Sequence, residues 1–241
     1  MQIYIKKENI DQNIQNISDH LESNIVFDEP KKSHYLVYDS NGLSFIKDSK
    51  NPREILHINF LKGALGWRMK RAQHESNLKK ALGKNNDQLT IFDATAGLLT
   101  DAMIFLSLGH RVIAVEQSKI LFCLVSDAIF RAKKDIPELK NLDFINDNSI
   151  NVYKRKHQQL DVIYLDPMYP ITKKNIKKSG NINAITKILK LENLENNEDE
   201  FISSFMESNY KKIILKRPLK SKKNYSNINY GLDGIGDGFN A

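Results

Sequence analysis

Cysteine is nearly absent from this chain: Cys123 is its only one. No disulfide can close within the chain, which fits a reducing compartment. Cys123 sits in an apolar helical stretch and reads as a core thiol. Long apolar runs are missing too. None approaches the roughly 20 residues needed to span a bilayer, and the opening MQIYIKKENIDQNIQ has no apolar signal core. These absences lead us to expect a cytoplasmic protein without a membrane partner. The six histidines, at 20, 34, 57, 74, 110 and 157, lack metal-ligand spacing, so no metal is expected. A GxGxxG fingerprint is missing, which argues against a nicotinamide dehydrogenase. No internal repeat is visible.

What is present suffices for one sizeable core and a small appended subdomain: 241 residues, 41% of them hydrophobic. Lysine and arginine number 36 against 29 acids, a net charge of +7. That balance favours a polyanionic partner, although excess lysine also serves solubility.

Residues 1–60 read as a β-rich N-terminal subdomain and 61–241 as the main domain. Met1–Ile5 alternates, and His34–Tyr38 and Leu43–Ile46 flank Asp39-Ser40-Asn41-Gly42, where Asn-Gly signals a hairpin. Gly63 to Leu82 is helical and basic, with Gly83 as a C-cap. A second pattern follows. Leu89–Phe92, Arg111–Val115, Leu142–Ile145, Val162–Leu165 and Lys212–Leu215 are short apolar runs of strand type, with helices predicted at Thr100–Leu108 and Lys119–Ala132. Continuous apolar strands alternating with helices predict an α/β fold with a parallel sheet covered on both faces. The glycine-rich tail, 231–241, is expected to be loosely ordered.

In such a sheet ligands bind beyond the carboxyl ends of the strands, near the point where strand order reverses. Three strand ends stand out. Asp93-Ala94-Thr95-Ala96-Gly97 follows the first; small residues let the backbone approach a ligand, though they also make ordinary turns. Glu116 ends the second, about 20 residues on, where Rossmann proteins bind ribose hydroxyls; a solvated acid would also fit there. Asp166-Pro167-Met168-Tyr169-Pro170 ends the fourth. A carboxylate, a rigid proline and an aromatic ring within five residues make a compact site for a planar amine. This is the most specific signal in the chain, its plain alternative being a proline-stiffened turn.

A motif of the Asp/Asn-Pro-Pro-Tyr kind after strand four resembles class I methyltransferases that modify exocyclic amino groups of bases. More closely, DATAGL…DA, VIAVEQ, VIYLDPMYP and IILKRP resemble, in order and spacing, the RsmJ family, which methylates a guanine amino group of 16S ribosomal RNA. The segment GALGWRMKRA is similar to a basic helix of that family. The resemblance runs from about Ile58 to Pro218. It implies a Rossmann-like class I methyltransferase sheet, S-adenosylmethionine as cofactor, and 16S ribosomal RNA or the small ribosomal subunit as partner. Carried over residue by residue, cofactor contacts fall on Thr100, Asp101, Glu116, Gln117, Asn148, Ser149 and Asp166, beside the turn Asp93, Ala94, Thr95 and Gly97. Three departures occur. Leu99 and Thr100 replace a glycine and an arginine, Gln117 stands where arginine is common, and the family's closing segment is not recognisable in GDGFNA.

On this reading Asp166 and a carbonyl from Pro167 or Met168 accept hydrogen bonds from the guanine amino group, and Tyr169 stacks on the base. Lys173, Lys174, Lys177 and Lys178 follow the motif, and Lys216, Arg217, Lys220, Lys222 and Lys223 follow the fifth strand. Both groups are expected at the same sheet edge, where phosphate contact competes with plain solvation. A methyltransferase acting on adenine in DNA or on a small molecule stays open, as does an inactive assembly protein that kept the fold.

Overall fold

The structure is a computed structural model and describes residues 1–6, 10–31, 33–51, 55–83, 87–167, 180–194 and 197–217. In chain order its elements are β1 (Gln2–Ile5), α1 (Gln12–His20), β2 (Asn24–Val26), β3 (Tyr35–Asp39), β4 (Gly42–Ile46), β5 (Ile55–His57), α2 (Gly63–Lys70), α3 (Ser76–Leu82), β6 (Thr90–Asp93), α4 (Thr100–Ser107), β7 (Arg111–Glu116), α5 (Lys119–Ala132), β8 (Leu142–Asn146), α6 (Ser149–Lys156), β9 (Val162–Leu165), α7 (Gly180–Leu191), α8 (Glu198–Met206) and β10 (Ile213–Leu215). Among the described residues no helix is long and apolar enough to cross a membrane.

Two compact units form, and neither is continuous in sequence. The first takes in Met1–Trp67, Gln117–Leu139 and Ile176–Glu195. Its mixed sheet has the order β2-β1-β3-β4-β5, with β1 parallel to β2 and β3, and β3–β4–β5 antiparallel. The predicted hairpin is there: Asp39 pairs with Gly42, and the Asp39 carboxylate accepts the Asn41 N–H. Gly42 has φ +105°, and a Cβ on it would lie 2.4 Å from an Asp127 oxygen, so only glycine fits. Asp127, on α5, is fully buried and takes the Leu43 N–H at 2.9 Å, the Asn13 amide at 2.9 Å and the Arg131 Nε–H at 2.8 Å. Arg131 continues to the Ile58 carbonyl at 2.7 Å. Helix α5 packs on β4 and α7, its start capped by Ser118 and held by the Glu192 carboxylate. Cys123 is buried in this helix, and burial, with Glu192 adding to it, pushes the thiol up to about 12.

The second unit takes in Arg68–Glu116, Lys140–Asn175 and Asn196–Ala241. It holds the parallel sheet, order β10-β9-β6-β7-β8 with every pairing parallel. This is the parallel α/β sheet that the strand pattern predicts, in the Rossmann-like form that the resemblance implies. The apolar runs fill its core: Phe92, Ile113, Val115, Ile163 and Leu165 pack with Val152, Tyr153 and Phe205. Helix α4 is buried nearly all round, with Ala102, Met103, Ile104, Phe105 and Leu106 inaccessible, as expected for a helix without a solvent face.

The structure also departs from the sequence reading. The stretch 63–82 is two helices split by a 3-10 turn at Ala72–His74 rather than one. Helix α1, strands β2 and β5, and helices α6, α7 and α8 were not foreseen. Met168, Tyr169, Pro170, Lys173, Lys174, Lys177, Lys178, Lys220, Lys222, Lys223 and the tail 231–241 lie outside the described residues.

Candidate active site

The chain runs β6, β7, β8 outward in one direction and then returns to β9 on the far side of β6. The strand order therefore reverses between β6 and β9, the point beyond whose carboxyl ends sheets of this kind bind ligands. Asp93 ends β6 and Asp166 follows β9. Parallel pairing brings the other predicted strand ends alongside: Asp93 is in register with Ala114 and Tyr164, and Glu116 with Asn146.

The turn Asp93–Gly97 is tied to its neighbours on both sides. The Thr95 hydroxyl accepts the Asp166 N–H at 2.7 Å and donates to Asp93 Oδ1 at 3.4 Å, bridging the reversal point. Asp93 Oδ1 also accepts the Thr95 N–H at 3.0 Å. On the other side the Ala96 N–H reaches the Val115 carbonyl, and the Gly97 N–H reaches Glu116 Oε2 at 3.0 Å. Glu116, which was expected to meet a ribose, is buried and thus also braces the glycine turn. Asn146, which sequence reasoning missed, donates its side-chain amide to the Glu116 carbonyl at 2.7 Å.

Leu99 explains one departure from the family pattern. It has φ +59° and ψ +21°, the left-handed region where glycine is the natural occupant. Here a fully buried leucine holds that conformation at the cap of α4. The turn geometry is kept, at the cost of backbone strain that side-chain burial offsets. Thr100 opens α4 and is exposed, whereas Asp101 beside it is buried. Asn148 caps α6 through its side-chain oxygen, which accepts from Ile150 and Asn151, and Ser149 behind it is buried. Gln117 is exposed and falls in the first unit.

The centre of the site is a charge cluster. Lys216 Nζ lies 2.6 Å from Asp101 Oδ2 and 2.8 Å from Asp166 Oδ2. The Tyr164 hydroxyl donates to Asp101 at 2.6 Å, and Arg68 approaches Asp101 at 3.5 Å while holding Glu75 at 2.7 Å. Lys216 was expected at RNA phosphate; its ammonium is instead engaged by two carboxylates. The sequence shows Lys216 as one lysine among many. Its partners are set by β10 lying beside β9, an adjacency that no local pattern announces.

Two buried acids and a partly buried third, Asp166, cannot all ionise with ease. Desolvation pushes Asp93 up to about 7, with Asp101 and Asp166 adding to the shift against the opposing Thr95 hydrogen bonds. Burial would raise Asp101 as well, but the Lys216 ammonium, the Tyr164 hydroxyl and Arg68 bring it below the usual carboxylate range. Asp166 is raised: its burial outweighs the opposing pull of Lys216, and the Asp101 charge adds to it. Burial would lower Lys216, but the two carboxylates hold it above the ordinary lysine value. Burial also raises Tyr164 well beyond its normal range, so it stays a hydrogen-bond donor.

Known proteins are similar to this chain in sequence and fold. A family model described as "Putative SAM-dependent methyltransferase" matches residues 20–227. Ribosomal RNA small subunit methyltransferase J of Buchnera aphidicola is 32% identical over 226 residues, covering 90% of this chain and 88% of that one. The enzyme of the same name from Desulfotalea psychrophila is 31% identical, covering 76% of this chain and 72% of that one. This chain belongs to the ribosomal RNA small subunit methyltransferase J family. The crystal structure of a SAM-dependent methyltransferase from Neisseria gonorrhoeae superposes with a TM-score of 0.66 at 21% identity, covering 92% of this chain and 87% of that one, and shows the same fold. As a member of the methyltransferase J family the protein is a SAM-dependent methyltransferase, and its cofactor is S-adenosylmethionine. The residues present fit that cofactor: a buried carboxylate at the end of β7, suited to a diol, next to a turn of small residues where Gly97 has φ +49°.

Proposed function

We propose that the protein transfers a methyl group to the exocyclic amino group, N2, of a guanosine in 16S ribosomal RNA. The observation that carries this reading is Asp166-Pro167 at the reversal point of a parallel sheet, with the Asp166 backbone pinned by Thr95 and its carboxylate held by Lys216. The relatives' shared name, ribosomal RNA small subunit methyltransferase J, supports the RNA substrate. The family resemblance read from VIYLDPMYP supports guanine N2.

Bound S-adenosylmethionine supplies a methyl group on a positively charged sulfur that keeps the bonding pair when the methyl leaves. The turn Asp93–Gly97 with Glu116 would hold it, beside Asp101, Asn148 and Ser149. The guanine amino nitrogen is a weak nucleophile because its lone pair is delocalised into the ring. Asp166 and the Pro167 or Met168 carbonyl accept its two hydrogens. This draws the nitrogen toward tetrahedral geometry and stabilises the positive charge that grows on it. The methylated amine then gives up a proton without a dedicated base. Tyr169 stacks on the splayed base. Lys173, Lys174, Lys177, Lys178 and Arg217 take backbone phosphates. The inactive-protein alternative loses ground because the turn at Leu99 keeps its left-handed conformation despite the missing glycine.

The test is nucleoside analysis of small-subunit ribosomal RNA after incubation with the protein and isotope-labelled S-adenosylmethionine. Label in N2-methylguanosine is the expected result. Label in another nucleoside moves the substrate reading to that base, and none in any RNA refutes it.

A further inference from the structure

Lys216 immediately follows β10, and Asp166 immediately follows β9. The two strands pair in register through Leu215 and Leu165, and the Lys216 N–H binds the Leu165 carbonyl at 2.8 Å. The sheet itself therefore sets the two residues side by side. From that position the Lys216 side chain closes on Asp166 and on Asp101 from α4. We propose that Lys216 is a positioning residue for methyl transfer: its ammonium, clamped by Asp101, holds the Asp166 carboxylate in place to accept the target amine. This inference rests on the role given to Asp166 above.

The surroundings of Asp166 show why a cation is needed there. Asp101 faces it from α4 and Asp93 from β6, both acids, and Tyr164 from its own strand is fixed as a donor to Asp101. Arg68 approaches Asp101 at 3.5 Å. Lys216 is thus the described cation in direct contact with Asp166. Taking it away leaves the partly buried Asp166 among like charges, which favours the protonated acid. A protonated Asp166 turns one acceptor oxygen into a donor and loses the negative charge that stabilises the charge growing on the amine. Asp101 in turn keeps Lys216 from reaching outward: with both ends of the clamp closed, the ammonium is not available as a phosphate contact.

The expected signature is in the pH profile. With Asp166 required as the carboxylate, activity is lost as pH falls through its value. Removing Lys216 raises that value, so the acid limb moves to higher pH. The deficit of the variant should be largest at low pH and shrink as pH rises. A displacement of one pH unit corresponds to about a tenfold loss on the acid side.

The experiment is single-turnover methyl transfer to small-subunit RNA at saturating cofactor and RNA, from pH 5.5 to 9.5. It compares wild type, Lys216→Met, Lys216→Arg and Asp166→Ala. Lys216→Met should shift the acid limb upward by about one unit or more, and Lys216→Arg should restore it. Should Lys216→Met not fold, Lys216→Gln takes its place with the same readout. A parallel loss at every pH in both Met and Arg variants means a structural role only and overturns the proposal. An unmoved limb with weaker RNA affinity, and a salt slope lower by about 0.7–0.9, means a phosphate contact and overturns it as well. Asp166→Ala, which removes the acceptor, separates the two layers. If it turns over at the wild-type rate, the reading of Asp166 itself fails; if it is slow while Lys216→Met keeps the wild-type limb, only this inference fails.

Discussion

Asp127 in the first unit and Asp101 in the second are both buried aspartates approached by an arginine, yet their surroundings differ in kind. Asp127 meets one cation, one side-chain amide and one backbone N–H, and its partners belong to a hairpin, to helix α1 and to its own helix α5. Asp101 meets two cations and a phenol, and two further acids lie within its electrostatic reach. The first arrangement neutralises its charge locally and holds a turn. The second gathers three acids and two cations at the carboxyl end of a parallel sheet, where each fixes the state of the others. Perturbed acids with named partners in a crevice are a mark of chemistry, whereas a satisfied ion pair is a mark of architecture.

Breaking the architectural side should produce the largest effect on stability. Asp127→Ala strands the Leu43 N–H and the Arg131 guanidinium, a loss of about 3–5 kcal/mol by analogy with other buried pairs. Urea unfolding measures it, and cofactor affinity per folded molecule should be kept. If the loss is below about 1 kcal/mol, the hairpin is held by other contacts.

On the chemical side, Asp93 predicts an unusual pH dependence. Its folded value is about 7, above the ordinary carboxylate range. The folded state therefore keeps a proton that the unfolded chain has already lost between about pH 4 and 7. Stability tied to this group is fully present below that window and lost as pH rises through it, with a slope of up to about 1.4 kcal/mol per pH unit. Asp93→Asn cannot titrate, so its melting temperature should fall less than that of wild type between pH 5 and 7. Parallel curves would contradict the assignment.

How much of this was legible beforehand depends on how local each signal is. Helix α5 was read with its observed bounds, and Asn-Gly located the β3–β4 hairpin, because a cap, an apolar stripe or a two-residue turn is written in adjacent residues. Helix α1 escaped because it buries little besides Ile14 and Ile17. Helix α8 lies in a stretch that looks like polar linker, although Asn197 followed by Glu198, Asp199 and Glu200 is a helix start. The strand-end acids were found from sequence because each terminates its own apolar run. Their union with Lys216, Arg68 and Tyr164 was not, since it depends on which strands lie side by side.

Smaller effects sharpen the comparison. Thr95→Val removes the hydroxyl between Asp93 and the Asp166 N–H and should cost about 1–3 kcal/mol, with slower single turnover; Thr95→Ser should restore both. Leu99 tests strain against packing. Leu99→Ala and Leu99→Gly lose the same buried side chain, but only glycine relaxes the left-handed backbone. The glycine variant should therefore be the more stable of the two by about 1 kcal/mol, the reverse of the order usual inside helices. Thermal denaturation of the pair decides it.

The most direct test of the account is the rate of methyl transfer by Asp166→Ala to small-subunit RNA in a single turnover, at saturating labelled cofactor. Removing one preorganised polar contact at the reacting centre typically slows such a step by about 10²–10³. The account predicts a loss of that size with RNA affinity little changed, and transfer at the wild-type rate would contradict it.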